Sequence, residues 1–243
     1  MEIYLSEFIG TLILILLGNG VVANVVLDKT NGHGSDLIVI AFGWAIAVFV
    51  GVFVGTSIGG PGHLNPAVTI GAAIAGAGGF TWSLVPGFII AQMLGAMVGT
   101  TLVYMMYRPH YEVSEDPAAV QATFCTSPAL ASTFSNVLSE VLGTFVLVYG
   151  AFHLMSPMIG GETASLGSID ALPIALVVLG IGLSLGGTTG YAINPARDLG
   201  PRIMHALLPM RHKGGSSWSY AWLPVVSPVL GAALAAIVKL YIA

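Results

Sequence analysis

A long stretch without charged residues constrains this chain more than any other feature. Between Asp36 and Arg108 there is no Asp, Glu, Lys or Arg, and a helix that crosses a bilayer needs roughly 20 mostly apolar residues. Over the whole chain, 56% of the residues are hydrophobic and only 7% are charged, whereas a soluble domain usually carries about 25% charged residues. The sequence therefore predicts an all-α membrane protein.

Charge and cysteine content exclude several classes of partner. The net charge of -4 is small and the basic residues are scattered, so no basic patch for a nucleic acid is present. Cys125 is the only cysteine, which removes an intramolecular disulfide or a multi-cysteine metal site. The histidines show no ligand spacing, and no nucleophile stands with a base in a catalytic motif. We expect no nucleic-acid partner, metal, cofactor or enzymatic activity.

Six apolar segments are long enough to cross a membrane. They lie at about 4–27, 37–58, 83–106, 132–156, 172–188 and 219–241. The first follows no basic region, which favours a retained helix over a signal peptide. Two Gly-rich stretches, at about 63–76 and 186–205, are too short and interrupted to cross fully. We predict a single domain, 1–243, with six transmembrane helices and two re-entrant half-helices.

The two halves of the chain contain matching motifs in the same order, at offsets of about 130 residues. The pairs are Ser6–Thr11 with Ser139–Thr144, Asn65–Ala67 with Asn194–Ala196, and Gly95–Ala96 with Gly231–Ala232. Three spans per repeat is an odd number, so the second repeat enters the membrane from the opposite side. We predict inverted repeats at about 1–107 and 132–243, joined by the polar loop 108–131.

Each repeat carries one Asn-Pro-Ala motif, which consists of Asn65, Pro66 and Ala67 in the first copy and Asn194, Pro195 and Ala196 in the second. Asn is a favoured N-cap and Pro fits the first helical position, so each motif predicts a helix start. In an inverted repeat the two starts meet near the membrane centre, where the positive ends of their dipoles repel cations. Each Asn keeps its side-chain N–H groups as donors toward the lumen. A single Asn-Pro would more simply be a turn.

The residues before each motif are expected to line a pore. Non-helical backbone is tolerated at membrane depth only where it lines a watery cavity or is buried in protein. The carbonyl groups of these residues would then form a ladder of acceptors for solute hydroxyls. The predicted pore-lining backbone comprises Pro61, Gly62, His63, Leu64, Gly190 and Ala192.

The segments His63–Thr69 and Asn194–Asp198 resemble the two signature loops of the aquaporin (major intrinsic protein) family, in its glycerol-facilitator branch. The resemblance implies a homotetramer of six-helix subunits in the cell membrane, each with its own pore. It also implies that both termini face the cytoplasm. Charge placement points the other way, because Lys29, Arg108 and Arg211 would then lie outside.

The resemblance further implies a selectivity filter of four residues, Trp44, Gly182, Tyr191 and Arg197. The loop Gly59–His63 is one residue longer than usual in the family, which leaves Ala45 as an alternative to Trp44. Tyr191 stands where the glycerol branch usually has Phe, and its hydroxyl makes the filter more polar. Asp198 occupies a position typical of glycerol-conducting members.

Two intramembrane carboxylates, Glu7 and Glu140, correspond to groups that hold the re-entrant loops in the family. Because intramembrane acids are functional candidates by default, proton coupling is the alternative. Their matched places in the two repeats favour loop support, a role that we also predict for Asp198. His63 could be a pH gate, but a lone His beside a loop motif is more often a structural hydrogen-bonding partner.

The predicted function is a passive channel for small uncharged solutes, chiefly glycerol, that excludes protons and ions. Water, dihydroxyacetone, urea, hydrogen peroxide and undissociated lactic acid are further candidate solutes. Two alternatives stay open. Inverted repeats with broken helices are also a design of secondary transporters, and Tyr191 could narrow the pore until it is water-selective.

Overall fold

Helices make up most of the structure, a computed structural model that describes residues 1–154, 158–159, 162–163 and 167–242. The helices in these ranges are α1 (Glu2–Val26), α2 (Leu37–Ser57), α3 (Pro66–Ala75), α4 (Val85–Val113), α5 (Pro117–Ala122), α6 (Thr133–Leu154), α7 (Leu172–Ser184), α8 (Pro195–Leu207) and α9 (Leu223–Ile242). Two 3₁₀ turns, Ala77–Gly79 and Gly167–Ala171, precede α4 and α7. The predicted all-α membrane fold is confirmed, with one addition: the short antiparallel strands β1 (Met158–Ile159) and β2 (Glu162–Thr163).

Five of these helices, α1, α2, α4, α6 and α9, are long and apolar enough to cross a membrane. The remaining predicted span, 172–188, is shorter than expected, because α7 ends at Ser184. At 1.5 Å per residue its 13 residues rise about 20 Å, less than the roughly 30 Å of a bilayer core. The 3₁₀ turn Gly167–Ala171 extends the segment at its start.

The loop predicted at 108–131 begins later than expected and contains a helix. Helix α4 continues through Pro109 to Val113, and α5 occupies Pro117–Ala122. Tertiary packing explains the extension. The Tyr111 side chain is buried against the rings of Tyr104 and Phe124, and its hydroxyl lies 2.8 Å from Oγ1 of Thr123. These contacts stabilise a last helical turn that the local sequence disfavours.

The two halves pack in the same way, and glycine permits the close approach. In the first half α4 lies against α1, where a Cβ on Gly95 would sit 2.3 Å from the carbonyl oxygen of Phe8. In the second half α9 lies against α6, where a Cβ on Gly231 would sit 2.3 Å from the carbonyl oxygen of Val141. The two contacts are equivalent by the repeat, since Gly95 corresponds to Gly231 and Phe8 corresponds to Val141. Only glycine fits at this separation of the helix backbones.

The half-helices connect the two halves of the molecule. Helix α3 packs mainly against α9, and α8 packs mainly against α4, while α2 of the first half contacts α7 of the second. Each half-helix therefore lies against the last helix of the other half. This exchange places the two Asn-Pro-Ala motifs next to each other in the interior.

Candidate functional site

Both Asn-Pro-Ala motifs begin a half-helix, and both Asn side chains cap it. Oδ1 of Asn65 accepts a hydrogen bond from the backbone N–H of Ala67 at 2.9 Å. Oδ1 of Asn194 accepts from the N–H groups of Ala196 at 3.0 Å and Arg197 at 3.2 Å. A proline follows each cap as the first helical residue, where its missing N–H costs no hydrogen bond.

Each capping Asn also donates a hydrogen bond to the residue that precedes the opposite motif. Nδ2 of Asn65 donates to the carbonyl of Ile193, and Nδ2 of Asn194 donates to the carbonyl of Leu64, both at 2.8 Å. Both N–H groups of each amide were expected to face the lumen, but one of them donates across the interface of the repeats. An amide NH₂ has two donors, so one N–H of each Asn remains for a molecule in the cavity.

The residues before the motifs adopt a strained backbone rather than a simple extended one. Leu64 and Ile193 have φ values of 50° and 44°, a left-handed conformation that is costly for branched side chains. Such conformations persist only where the surroundings hold them in place. The carbonyl of each of these two residues accepts a hydrogen bond from the Asn of the opposite motif. The carbonyl next to each motif therefore already has a hydrogen-bond partner within the protein.

Glu7 and Glu140 hold these two segments in equivalent ways. The Glu7 carboxylate accepts from the backbone N–H of His63 at 2.8 Å and of Leu64 at 2.6 Å, and Nε2 of Gln92 donates to it at 2.8 Å. The Glu140 carboxylate accepts from the N–H groups of Ala192 and Ile193 at 2.8 Å. Both side chains are fully buried. Gln92 was not predicted; its polar side chain in an apolar span was the available signal.

Thr189 also helps to hold the second loop, since its hydroxyl donates a hydrogen bond to Glu140 at 2.6 Å.

His63 makes structural contacts in the first loop. Nδ1 of His63 lies 3.3 Å from Oγ1 of Thr69, and the imidazole packs against the rings of Phe80 and Phe88. Its ring is therefore fixed within the loop.

Within the part of the chain that the structure describes, two neighbouring cavities share three wall residues. The first, named the core cavity, is lined by both capping Asn residues and by five of the six predicted pore-lining residues: Pro61, Gly62, His63, Leu64 and Ala192. The second, named the vestibule, is lined by part of the 114–132 connection and by Gly190. The residues common to both linings are Trp44, Tyr191 and Arg197. These three side chains mark the boundary between the cavities.

At this boundary Arg197 stacks on Trp44. The guanidinium carbon lies 4.1 Å from the centroid of the Trp44 ring, within the range of a cation–π contact. One guanidinium nitrogen also lies 3.5 Å from the carbonyl of Phe124. Arg197 is 7% exposed and has no acidic group among these contacts. Its remaining N–H donors are available to a molecule at the boundary.

The other predicted filter positions have different surroundings. Gly182 lies behind the Tyr191 ring, because a Cβ there would be 3.0 Å from Cζ and 3.1 Å from the hydroxyl of Tyr191. The Tyr191 hydroxyl is buried and has no hydrogen-bond partner among the described residues. Trp44 contacts Arg197 and lines both cavities, whereas Ala45 is in neither lining.

Asp198 faces away from the cavities and holds the 114–132 connection. Its carboxylate accepts from the backbone N–H and the hydroxyl of Thr126 at 2.8 and 2.7 Å. Its other oxygen is paired with Arg202 at 2.7 Å, with both side chains fully buried. Arg202 also donates to the carbonyls of Thr126 and Ser216. Arg202 was not among the predicted site residues, although its i, i+4 spacing from Asp198 is visible in the sequence.

Cys125, in the vestibule wall, is a buried thiol of low reactivity. Burial raises its pKa to about 12, and the nearby Asp198 carboxylate acts in the same direction. The thiolate, which is the reactive form, is therefore scarce at neutral pH. No cluster of three His, Cys, Asp or Glu residues with metal-binding geometry occurs within the described ranges.

Comparisons with known proteins agree with this architecture. The sequence profile of the major intrinsic protein family matches residues 1–239. A glycerol uptake facilitator protein from Streptococcus pneumoniae is 56% identical over 233 residues, covering 96% of this chain and 96% of the relative. A probable glycerol uptake facilitator protein from Thermotoga maritima is 50% identical over 236 residues, or 97% of both chains.

Among solved structures, the aquaglyceroporin from Plasmodium falciparum matches with a TM-score of 0.85 and 31% sequence identity, covering 97% of this chain and 93% of that one. Its fold and the order of its helices are thus shared over almost the whole length. Together with the profile match, the likeness leads to one conclusion. The chain belongs to the major intrinsic protein family.

Proposed function

We propose that this membrane protein is a passive channel for small uncharged solutes, chiefly glycerol, and that it is not an enzyme. The observation that carries the proposal is the boundary between the two cavities, where Trp44, Tyr191 and Arg197 meet. The names of the relatives, glycerol uptake facilitators at 56% and 50% identity, support the choice of solute.

The selectivity filter in this proposal consists of Trp44, Gly182, Tyr191 and Arg197. The two aromatic rings face the carbon backbone of a polyol, while the planar guanidinium donates hydrogen bonds to its hydroxyls. The Tyr191 hydroxyl is buried beside Gly182, so the ring presents its apolar surface to the solute. Because Gly182 has no side chain, the Tyr191 ring can pack directly against helix α7. A molecule with one apolar face and one polar face fits this wall.

Cation exclusion is assigned to the two half-helices. Their positive ends meet at Asn65 and Asn194, and each contributes roughly half a unit of positive charge from its macrodipole. The one free N–H of each Asn is a fixed donor, so a water molecule between them must accept from both. Such a water cannot relay a proton along a hydrogen-bonded chain.

Glu7, Glu140 and Asp198 are assigned supporting roles in this mechanism. Both glutamates are fully buried and accept hydrogen bonds from backbone N–H groups of the two loops and from the polar side chains of Gln92 and Thr189. This favours loop support over proton coupling, since a coupling acid needs a path to water. The pore then needs no ion gradient.

Assembly and orientation are further parts of the proposal. We assign a homotetramer in the cell membrane with both termini in the cytoplasm, and one domain, 1–243, of two inverted repeats. Many large apolar side chains are exposed on the chain, among them Leu94, Met105 and Leu176. Such a surface needs lipid or neighbouring subunits around it.

Stopped-flow light scattering on proteoliposomes tests the proposed function. Vesicles with the purified protein are challenged with gradients of sorbitol, glycerol, urea and dihydroxyacetone, each with and without a pH or sodium gradient. We expect rapid reswelling with glycerol that does not respond to either gradient. The double variant Arg197→Val with Asn194→Asp should lose this solute selectivity, and empty vesicles give the background.

Two results would contradict the proposal in different ways. Glycerol flux that requires a proton or sodium gradient would identify a secondary transporter. Water flux without glycerol flux would mean that Tyr191 closes the filter to polyols, and the protein would then be a water-selective pore.

A further inference from the structure

Helix α1 faces the pore along one line of residues, and a glycine stands at the level of the filter. Leu14 lines the core cavity and Val22 lines the vestibule. Gly18 lies four residues from each, so all three share one face of the helix. Gly18 itself is buried and lines neither cavity, because the Trp44 side chain covers it.

The contact between Gly18 and Trp44 is unusually close. A Cβ on Gly18 would lie 2.2 Å from Cζ3, 2.4 Å from Cη2 and 2.5 Å from Cε3 of Trp44. Three nearly equal distances to adjacent ring carbons place this position above the face of the six-membered ring rather than at its edge. Since carbons in ordinary contact are about 3.5 Å apart, any side chain here would displace the indole by about 1 Å or more.

The direction of that displacement follows from the neighbours on α1. Because Leu14 and Val22 on the same face reach the cavities, the indole lies between Gly18 and the lumen. A ring pushed away from α1 moves into the passage, toward the guanidinium of Arg197, which lies 4.1 Å from the ring centroid. The filter would become narrower on its apolar side.

We infer that Gly18 is a positioning residue that sets the width of the filter through Trp44. This inference rests on the proposed function, because it takes the Trp44, Tyr191 and Arg197 boundary as the point where solutes are selected. Gly18 touches no solute. Its lack of a side chain lets the indole lie flat against α1, which leaves room for the carbon backbone of a polyol.

The chain offers a matched control on the same helix. Gly20 is two residues away, and a Cβ there has no heavy atom within 4 Å. Ala gains helix propensity over Gly at both positions alike. A difference between Gly18→Ala and Gly20→Ala therefore reports the contact with Trp44 and not the helix backbone.

Permeabilities for water, glycerol and the larger polyol erythritol, measured on proteoliposomes of each variant, test the inference. We expect Gly18→Ala to lower the glycerol permeability about tenfold, as one methyl too many does in a tight pocket. Water is smaller, so its permeability should fall much less, and the glycerol-to-water ratio should drop. Gly20→Ala should keep the ratio of the unmodified protein. Equal ratios for the two variants would overturn the inference.

A double-mutant cycle shows whether the methyl group acts through the indole. Phe lacks the outer ring atoms that a Gly18 methyl meets, so Gly18→Ala combined with Trp44→Phe should have the glycerol permeability of Trp44→Phe alone. A loss of the same size in both backgrounds would refute a role for Gly18 in seating the indole.

The yield of purified protein for each variant also tests the inference. If Gly18→Ala cannot be purified, the test rests on Gly18→Ala combined with Trp44→Phe. A double variant that can be purified and has the glycerol permeability of Trp44→Phe supports the inference. A double variant that cannot be purified either refutes it. An unmodified protein that conducts water but no glycerol would contradict the proposed function instead, and the water permeabilities of the same variants would still test Gly18.

Discussion

At the scale of single residues, one buried ion pair links three segments of the chain. Asp198 and Arg202 lie on α8, Thr126 belongs to the connection before α6, and Ser216 belongs to the connection before α9. The carboxylate accepts two hydrogen bonds from Thr126, and the guanidinium donates to the backbone carbonyls of Thr126, Ser216 and Ser217. Phe124, whose carbonyl lies near Arg197, is two residues from Thr126. The ion pair thus helps to position the segment whose carbonyl contacts Arg197.

Removing the cation should destabilise the protein strongly. In Arg202→Met the Asp198 carboxylate stays buried without its counter-charge, and breaking a buried pair in this way costs about 3–5 kcal/mol. For a chain of this size we expect the midpoint of thermal unfolding in detergent to fall by about 10 °C. The measurement is the change of intrinsic tryptophan fluorescence on heating.

Two companion variants make the result specific. Arg211 is exposed, so Arg211→Met should leave the midpoint nearly unchanged. Asp198→Asn combined with Arg202→Met removes both charges and should recover part of the loss, because an amide oxygen can still accept from Thr126. An Arg202→Met protein as heat-resistant as Arg211→Met would show that the pair contributes no net stability.

At the scale of helices, the sequence predicts local features better than distant contacts. The starts of α3 and α8 are correctly predicted, because an Asn cap and a following Pro act within a few residues. The end of α4 is predicted too early. Its last turn is stabilised by contacts of Tyr111 with Phe124 and Thr123, which lie beyond the helix in the sequence and outside the local pattern. Gly18 gives no local signal, because its significance depends on the ring of Trp44 from another helix.

The filter positions illustrate the same limit. Trp44 and Tyr191 could be proposed only through a resemblance to a family, since an aromatic residue in a membrane helix is usually a packing or lipid-facing group. The Asp198–Arg202 pair has a local i, i+4 signal, but its contact with Thr126 crosses 72 positions of the chain. Spacing alone predicts the first interaction and cannot predict the second.

Helix pairs in this fold depend on glycine at the crossing points, which leads to a prediction for α6 and α9. In Gly231→Ala the new methyl would lie 2.3 Å from the carbonyl oxygen of Val141, and backbone cannot yield as a side chain can. Forcing the helices apart should cost about 1–3 kcal/mol. We expect a lower midpoint of thermal unfolding than for the unmodified protein, measured in the same detergent.

Gly95 provides an independent repetition of this test, because its contact with Phe8 has the same distance in the other half. Gly95→Ala should therefore lower the midpoint to a similar extent. Gly20→Ala, whose methyl meets open space, should not lower it. A Gly231→Ala protein that unfolds at the same temperature as Gly20→Ala would show that the helices can separate without cost.

At the scale of the whole molecule, the passage combines positive half-helix ends and Arg197 with a mostly apolar wall. The core cavity is lined by Leu14, Val48, Val52, Val68 and Leu147, among others. An anion is attracted to the positive groups, but it must give up its water to pass the apolar wall. Dehydrating a full charge costs far more than dehydrating a hydroxyl or a protonated carboxyl group.

This balance leads to a prediction for lactic acid, which has the size of glycerol and exists in two protonation states. Only the protonated acid should pass. At a fixed total lactate concentration, the protein-dependent uptake should therefore fall about tenfold for each pH unit above the carboxyl pKa, which for such a group is about 3.5. Uptake of labelled lactate into proteoliposomes at pH 4, 5 and 6 measures this dependence.

Glycerol flux in the same vesicles is the internal control, because glycerol does not ionise in this range and its permeability should stay constant. A parallel fall of both fluxes would mean that acid changes the protein rather than the solute. Lactate uptake that stays constant from pH 4 to pH 6 would mean that the anion itself passes. The attraction of Arg197 and the half-helix ends would then outweigh the cost of dehydration, and exclusion of ions would have to depend on the sign of their charge.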